Sequence, residues 1–219
     1  MKKLILYKYT QKRFADDFFR DGSLRIGTFE YFRDVERKLS DEIRDEFEAY
    51  SIRDCINTSG KALSSLHDGV FSEHISDFIK ITGKNVNVIL ENGASINIAR
   101  SHRNAYLFCM TTIFNKSKMK KMGYDACFEI LDTKKFFNEI TFALPKDTFY
   151  QLEGNVIYRQ RNVAYDSHSD VHPYLNKPEY PRFVEQQEYR CVWGSHLETL
   201  PKFLDIKVPN ARRYCKRIV

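Results

Sequence analysis

The 219-residue sequence contains no long apolar run, no Pro-, Gly- or Ser-rich stretch and no pair of closely spaced cysteines. Without an apolar run of about 20 residues, no membrane-spanning helix is expected. The start, Met1-Lys2-Lys3-Leu4-Ile5-Leu6-Tyr7-Lys8, turns polar again too soon for a secretory signal. Its five cysteines, at 55, 109, 127, 191 and 215, form no CxxC pair and no metal-like spacing with the six histidines. Reduced thiols, a cytoplasmic location and no metal are the expectation. No GxxxxGK[ST] or GxSxG occurs, and no Ser-His-Asp order or metal triad competes, which sets aside P-loop and nucleophile-elbow chemistry. The absence of a linker, a repeat or a composition shift points to one domain over residues 1–219.

What is present is aromatic and basic. Hydrophobic residues make up 42% and aromatics 14%, with 17 Phe and 13 Tyr, which excludes a disordered chain. The formal charge is +6 and is unevenly spread. Residues 115–122 and 211–217 are basic, whereas 30–48 are rich in Asp and Glu. Two basic patches suit a polyanionic partner such as RNA or DNA, with Lys116, Lys118, Lys120 and Lys121 tracking phosphates from a loop. A solvated lysine surface is the alternative.

Periodicity predicts a strand over 4–10, then a helix over 12–21 with Phe14 and Phe18 at i,i+4 and Gly22 placed to end it. Strands are expected at 24–28, 49–54, 85–90, 95–100, 105–110, 126–131, 155–165, 183–193 and 203–208. The 85–90 and 95–100 strands would be joined by an Asn92-Gly93 turn. Helical patterns cover part of 29–48, with Ser40 as a candidate cap before Asp41 and Glu42, and also 71–81 and 134–140. Residues 166–181, with Asp, His and three prolines, read as a long loop of the kind that often serves a site. The fold class is α+β: a mixed, mostly antiparallel sheet with inserted helices.

The late strand carries the chemistry. With a period of two, Val184, Gln186, Glu188, Arg190 and Val192 share one face, and Glu185, Gln187, Tyr189, Cys191 and Trp193 the other. An amide, a carboxylate and a guanidinium in succession between two valines are costly to bury unless they pair with each other or with a ligand. A structural Glu188–Arg190 pair, or an edge strand with a wet face, accounts for the pattern without function.

Gln186-Gln187-Glu188 resembles the Q-x-E third motif of the ADP-ribosyltransferase superfamily. Glu-x-x-Glu-Tyr-Arg on a late strand also resembles ADP-ribosyltransferase-like toxins of bacterial phage-defence systems. So do, in order, Leu6-Tyr7-Lys8-Tyr9, Gly22-Ser23-Leu24-Arg25-Ile26-Gly27-Thr28, Phe32-Arg33-Asp34-Val35-Glu36 with Asp41, and Leu107-Phe108-Cys109-Met110-Thr111. The resemblance implies a split sheet whose two halves hold NAD⁺, used as a substrate. Glu188 would stabilise the oxocarbenium-like transition state, and Gln186 would place the acceptor. The first motif, usually Arg or His, falls here on Tyr7, Lys8 and Tyr9, and the second on Thr111 with Thr112. Arg33 would grip the pyrophosphate as a fork, with Arg190 beside Glu188; Arg33 on a solvated helix face and Thr111 as a strand-end cap are the plainer readings. His168 and His172 are weaker candidates.

Transfer of ADP-ribose to a nucleic acid, with RNA favoured over DNA, is the expected function, and a toxin of this kind would need an antitoxin protein. NAD⁺ hydrolysis, a protein acceptor and a non-catalytic binding module are the alternatives. A metal-dependent nuclease built on the carboxylates of 34–48 ranks below them.

Overall fold

The computed structural model describes residues 4–39, 50–57, 95–159, 162–164 and 171–219. The expectations at Ser40–Glu42, 71–81, 85–90, Asn92-Gly93 and His168 lie outside the described residues. The chain forms two compact units. One contains Met1–Tyr50, His102–Arg161 and Asp170–Val219, and the other Ser51–Ser101 with Asn162–Ser169.

In the larger unit, strand β1 (Leu6–Thr10) leads into helix α1 (Lys12–Asp21). Gly22 ends α1 in the left-handed conformation at φ 82°, its N–H donating to the Phe18 carbonyl. A Cβ at Gly22 would also stand 2.5 Å from the Pro209 nitrogen, so both backbone conformation and space require glycine. Strand β2 (Ser23–Thr28) and helix α2 (Phe29–Leu39) follow. Strands β3 (Tyr50–Asn57) and β4 (Ser95–Ser101) belong chiefly to the smaller unit. The larger unit resumes with β5 (Tyr106–Thr111), helix α3 (Lys116–Lys121), β6 (Ala126–Ile130), helix α4 (Thr133–Ala143), β7 (Thr148–Asn155) and β8 (Ile157–Arg159). After β9 (Asn162–Ala164), which pairs parallel with β3, come β10 (Asn176–Pro178) and helix α5 (Pro181–Val184). Last are β11 (Glu188–Ser195), β12 (Phe203–Lys207) and β13 (Cys215–Arg217).

Eight described strands form one mainly antiparallel sheet, so the α/β mixture and sheet type expected from the sequence are observed. Strand β11 lies between β5 and β7. Strand β1 pairs along its length with β6, and β6 with β13. On the side away from β11, β5 meets β2 at its start, with Leu107 opposite Gly27, and β1 only at its end, with Thr111 opposite Tyr7. The sheet parts between those two contacts.

Alternation divides the two central strands into faces. Tyr106, Phe108 and Met110 of β5 and Tyr189, Cys191 and Trp193 of β11 pack in a core with Leu6, Phe18, Phe128, Phe136 and Ile140. Phe18 stacks on Phe128 with ring centroids 4.8 Å apart. Leu107 and Val192 turn to a smaller cluster with Phe29, Ala105 and Tyr174. Each fully buried large apolar side chain contributes about 1.5–3 kcal/mol, so the sheet is held mainly by its first face. Cys109, Cys127, Cys191 and Cys215 form no disulfide, and burial pushes the Cys127 thiol up to about 12.

Three local expectations are corrected. The strand over 183–193 begins only at Glu188, because Pro181, with its φ preset for the first helical turn, starts the short helix α5. The lysine-rich stretch is a helix and not a loop: the Asn115 side chain accepts the Lys118 N–H as its cap, buried Met119 anchors it, and Gly123 at φ 79° follows it. Within 155–165 the described strands are β8, which pairs with β10, and β9, which pairs with β3, and the longer β7 precedes them. Among the described residues no helix is long and apolar enough to cross a membrane.

Candidate functional site

Tyr7 on β1, Thr111 on β5 and Glu188 on β11 stand opposite one another in the register of three adjacent strands. Directly opposed residues of antiparallel strands project to the same face. The three segments singled out in the sequence therefore converge on one row, at the point where the sheet parts.

Beside this row opens a shallow cleft, lined by Tyr9, Thr111, Ile113, Lys118, Glu185 and Gln186 among others. Asn115, Lys121, Met122 and Gln187 complete it. Thr111 builds one wall: its hydroxyl donates to the Gln186 carbonyl at 2.8 Å. The Thr112 N–H donates to the Gln187 carbonyl at 3.1 Å. These bonds hold Gln187 at φ 45°, a left-handed conformation that costs an L-residue about 1–2 kcal/mol. The Tyr9 hydroxyl accepts the Asn115 N–H at 2.7 Å and donates to the Ile113 carbonyl at 2.9 Å, fixing the loop that enters α3. From α3, Lys118 and Lys121 reach the cleft, one helical turn apart. The Lys118 ammonium lies 3.5 Å from the exposed Glu185 carboxylate.

Glu188 does not line the cleft. It is 6% exposed and Arg190 is 0% exposed. Its carboxylate accepts from Arg190 Nε at 2.8 Å and Nη2 at 3.3 Å, and from Lys177 Nζ at 2.9 Å. Arg190 also donates to the Tyr174 carbonyl at 2.7 Å. The Glu188 backbone N–H donates to the Tyr158 hydroxyl at 2.9 Å. Burial by itself would raise the Glu188 carboxyl, but the charges of Arg190 and Lys177 outweigh it and hold the group well below the usual carboxylate range. Burial and the neighbouring Glu188 charge push Tyr158 up to about 12, so its phenol stays neutral.

Lys177 and Tyr158 arrive together. Strands β8 and β10 pair in parallel with Lys177 opposite Tyr158, and this two-stranded strap lays both side chains on Glu188. Lys177 is 3% exposed and donates in addition to the Gln186 side-chain oxygen at 3.2 Å. One ammonium thus touches both residues of the Q-x-E pair.

The expected face of Gln186, Glu188 and Arg190 is corrected accordingly. Glu188 and Arg190 share it, but Gln186 precedes the strand, and Val184, expected to point inward, is exposed on α5. Gln186 is joined to Glu188 through Lys177 instead. Among the strand-one candidates, Tyr9 lines the cleft and Tyr7 shares the row. Lys8 lies on the other face, its ammonium 4.4 Å over the Phe108 ring and donating to the Cys109 carbonyl at 2.8 Å. Loss of hydration lowers the Lys8 pKa. Arg33 sits on α2, outside the cleft lining, as do Lys116 and Lys120 on α3. His172 accepts the Tyr174 N–H at 3.3 Å as the cap of a 3-10 turn.

Lys177, Tyr158 and Glu185 were not singled out by the sequence. The expected long loop over 166–181 is corrected in its described part, which holds a 3-10 turn, β10 and the first residue of α5, and nothing in its residue pattern distinguishes Lys177. Among the described residues no group of three His, Cys, Asp or Glu side chains is placed to hold a metal ion. No family model, curated protein or solved structure matches the chain.

Proposed function

We propose that the cleft binds NAD⁺ and that the protein transfers ADP-ribose from it to a nucleic acid, with RNA the preferred acceptor and with an ADP-ribosyltransferase-like split sheet as scaffold. The observation that carries this reading is the row of Tyr7, Thr111 and Glu188 across β1, β5 and β11, whose middle member, Thr111, also lines the cleft. The resemblance implies a cofactor held between two sheet halves. The lining fits the ligand's chemistry: Lys118 and Lys121 suit a pyrophosphate, Tyr9, Ile113 and Met122 suit flat rings, and the amides of Asn115, Gln186 and Gln187 suit polar edges.

In the reaction the ribose–nicotinamide bond breaks, its electron pair leaving with nicotinamide. A nucleophile on the acceptor bonds the same ribose carbon and loses a proton. The carboxylate of Glu188 would lie against the ribose as positive charge develops there. For that, ribose hydroxyls must replace the Lys177 ammonium on the carboxylate. Lys116 and Lys120, on the outer side of α3, extend the basic surface toward the acceptor. A toxin-like enzyme of this kind calls for a neutralising antitoxin partner and a cytoplasmic substrate pool.

Incubation with NAD⁺ labelled in the adenylate moiety, with and without RNA, tests the reading. Label on RNA, lost in Glu188→Gln, is the expected result. Free labelled ADP-ribose without labelled RNA would make the protein a glycohydrolase. A second reading, a non-catalytic binding module, is favoured by the enclosure of Glu188 between Lys177 and Arg190, the arrangement of a structural pair. Unchanged NAD⁺ and growth arrest that survives Glu188→Gln would establish it.

A further inference from the structure

Positive charge gathers where α1 starts and α3 ends, against the electrostatic preference of both helices. Helix α1 opens with Lys12 and Arg13 and has no acid in its first turn, where the helix dipole favours negative charge. Helix α3 holds four lysines in six residues, and Lys116 and Lys120 stand four apart, a like-charge spacing that opposes helix formation. The two features meet: Gln11, Lys12, Arg13, Lys120 and Asp125 line a second, open groove between the helices. Lys118 and Lys121 face the first cleft and Lys120 this groove, with buried Met119 between the two flanks of α3.

The acids nearby do not neutralise the groove. Asp125 accepts the Lys12 backbone N–H, and Asp16 is shared by the Lys12 ammonium and Arg217. The Arg13 guanidinium lies 4.5 Å over the Phe14 ring. Among the described residues Arg13, Lys116 and Lys120 pair with no carboxylate, and all three are exposed. Neither concentration of charge serves the fold.

We propose that this groove docks the phosphodiester backbone of the acceptor, a single-stranded RNA, with Arg13 and Lys120 on its phosphates, and that the strand crosses α3 to bring a base to the cleft. The identity of the ligand as an acceptor rests on the proposed function. The inference goes beyond it by giving α1 a part in acceptor binding, and by separating the surface that holds the backbone from the cleft that holds NAD⁺. Phosphate oxygens accept from a guanidinium fork and from an ammonium, and their charge offsets the repulsion that both helices carry. An unpaired strand suits the site because a base within a duplex must first leave its stack to reach a reacting centre. A helix with its side chains is about 10–12 Å across, so the crossing spans about three nucleotides at stacked spacing.

The test measures binding of a fluorescein-labelled oligouridine, about 12 nucleotides long, to the full chain without NAD⁺. Fluorescence anisotropy at about 50 and 200 mM salt gives affinity and its salt dependence. Wild type is compared with Arg13→Ala/Lys120→Ala and with Lys134→Ala/Lys146→Ala, two exposed lysines on and just after α4. Both pairs lower the formal charge of +6 by the same amount, and alanine at an exposed helical position keeps the helix. Arg13→Ala/Lys120→Ala should bind about 10-fold more weakly at the lower salt, and the slope of log K against log salt should become shallower by about 1.4, as for two phosphate contacts on a single strand. The control pair should change affinity by less than about 2-fold.

Unchanged affinity and slope in Arg13→Ala/Lys120→Ala overturns the proposal, as does an equal loss in the control pair, which would reduce the effect to net charge. A duplex of oligouridine with oligoadenosine has the denser charge, so duplex binding as tight as that of the single strand overturns the assignment to an unpaired strand. Labelling with NAD⁺ separates this inference from the function it rests on. If wild type binds the strand through Arg13 and Lys120 but transfers no label, the proposed function fails and the docking groove stands. If wild type labels RNA and Arg13→Ala/Lys120→Ala needs no more RNA for half-maximal labelling, the groove fails and the transferase stands.

Discussion

On one face of β11, Tyr189, Cys191 and Trp193 are buried among aromatic and aliphatic side chains; on the other, Glu188 and Arg190 are buried with Lys177. The backbone, the register and the degree of burial are the same, yet the two faces relate differently to stability. On the apolar face, burial is favourable for every group. On the polar face each charge loses several kcal/mol of hydration, and the ion pairs and the bond to the Tyr174 carbonyl serve mainly to offset that loss. A strand that needed only a core would carry apolar residues on both faces. The polar face marks where this fold has kept charge inside at a cost.

The largest effect tests the apolar face. Trp193 is 0% exposed, its Nε1–H donates to Thr141 Oγ1 at 2.8 Å, and its ring lies edge-on to Phe137. Trp193→Ala should cost about 3–5 kcal/mol, enough to leave much of the chain unfolded if total stability is about 5–15 kcal/mol. Urea unfolding followed by circular dichroism measures it. A loss below about 1 kcal/mol would mean that this face is not the stabilising one.

The polar face should respond asymmetrically. Glu188→Ala leaves Lys177 and Arg190 facing each other without their carboxylate and should cost about 3–5 kcal/mol. Replacing all three together, as Lys177→Met, Glu188→Leu and Arg190→Met, should be neutral or stabilising by about 1–4 kcal/mol while abolishing activity. If the triple variant is as unstable as Glu188→Ala, the two faces are more alike than proposed. The same asymmetry has a pH signature. The Glu188 carboxyl is depressed in the folded state from a reference of 4.5, so the unfolded chain binds a proton that the folded one does not. Its contribution is fully present above about pH 5 and is lost as pH falls below the reference toward the folded value. Acid unfolding curves should therefore be less steep in Glu188→Gln than in wild type between about pH 4.5 and 2.

How legible each feature was depended on how local its cause is. Helix α1, its glycine stop and the apolar run of β5 follow from side-chain spacing and backbone preference within a few residues, and they stand where the sequence puts them. Gly22→Ala, which combines a positive φ with a collision against Pro209, should lower stability by about 1–3 kcal/mol, readable as a drop in melting temperature. At the start of β11 two local signals compete: Pro181 marks a helical first turn, while the Gln-Gln-Glu spacing matches an alternating strand, and the helical turn prevails. The lysine helix likewise has its cap at Asn115 and its stop at Gly123, two local signals set within a run of charge that reads equally as a solvated loop. Lys177 was beyond reach of any local rule. Its meaning comes from the pairing of β8 with β10, which sets it opposite Tyr158 and over Glu188.

The smallest effect expected is at the rim of the polar region. Lys121 is exposed on α3 and lines the cleft, whereas its neighbour Lys118 is engaged by Glu185. Lys121→Ala removes no buried area and no capping bond, so stability should change by less than about 0.5 kcal/mol. An exposed lysine facing a bound phosphate acts as a point charge, and its loss should weaken NAD⁺ binding by a few-fold at low salt. The difference should fade as ionic strength approaches about 1 M, where the screening length falls to about 3 Å. Calorimetric titration at two salt concentrations measures both points. A deficit of equal size at both would mean that Lys121 acts through a specific contact, and that the charged region extends from the buried cluster to the surface as one unit.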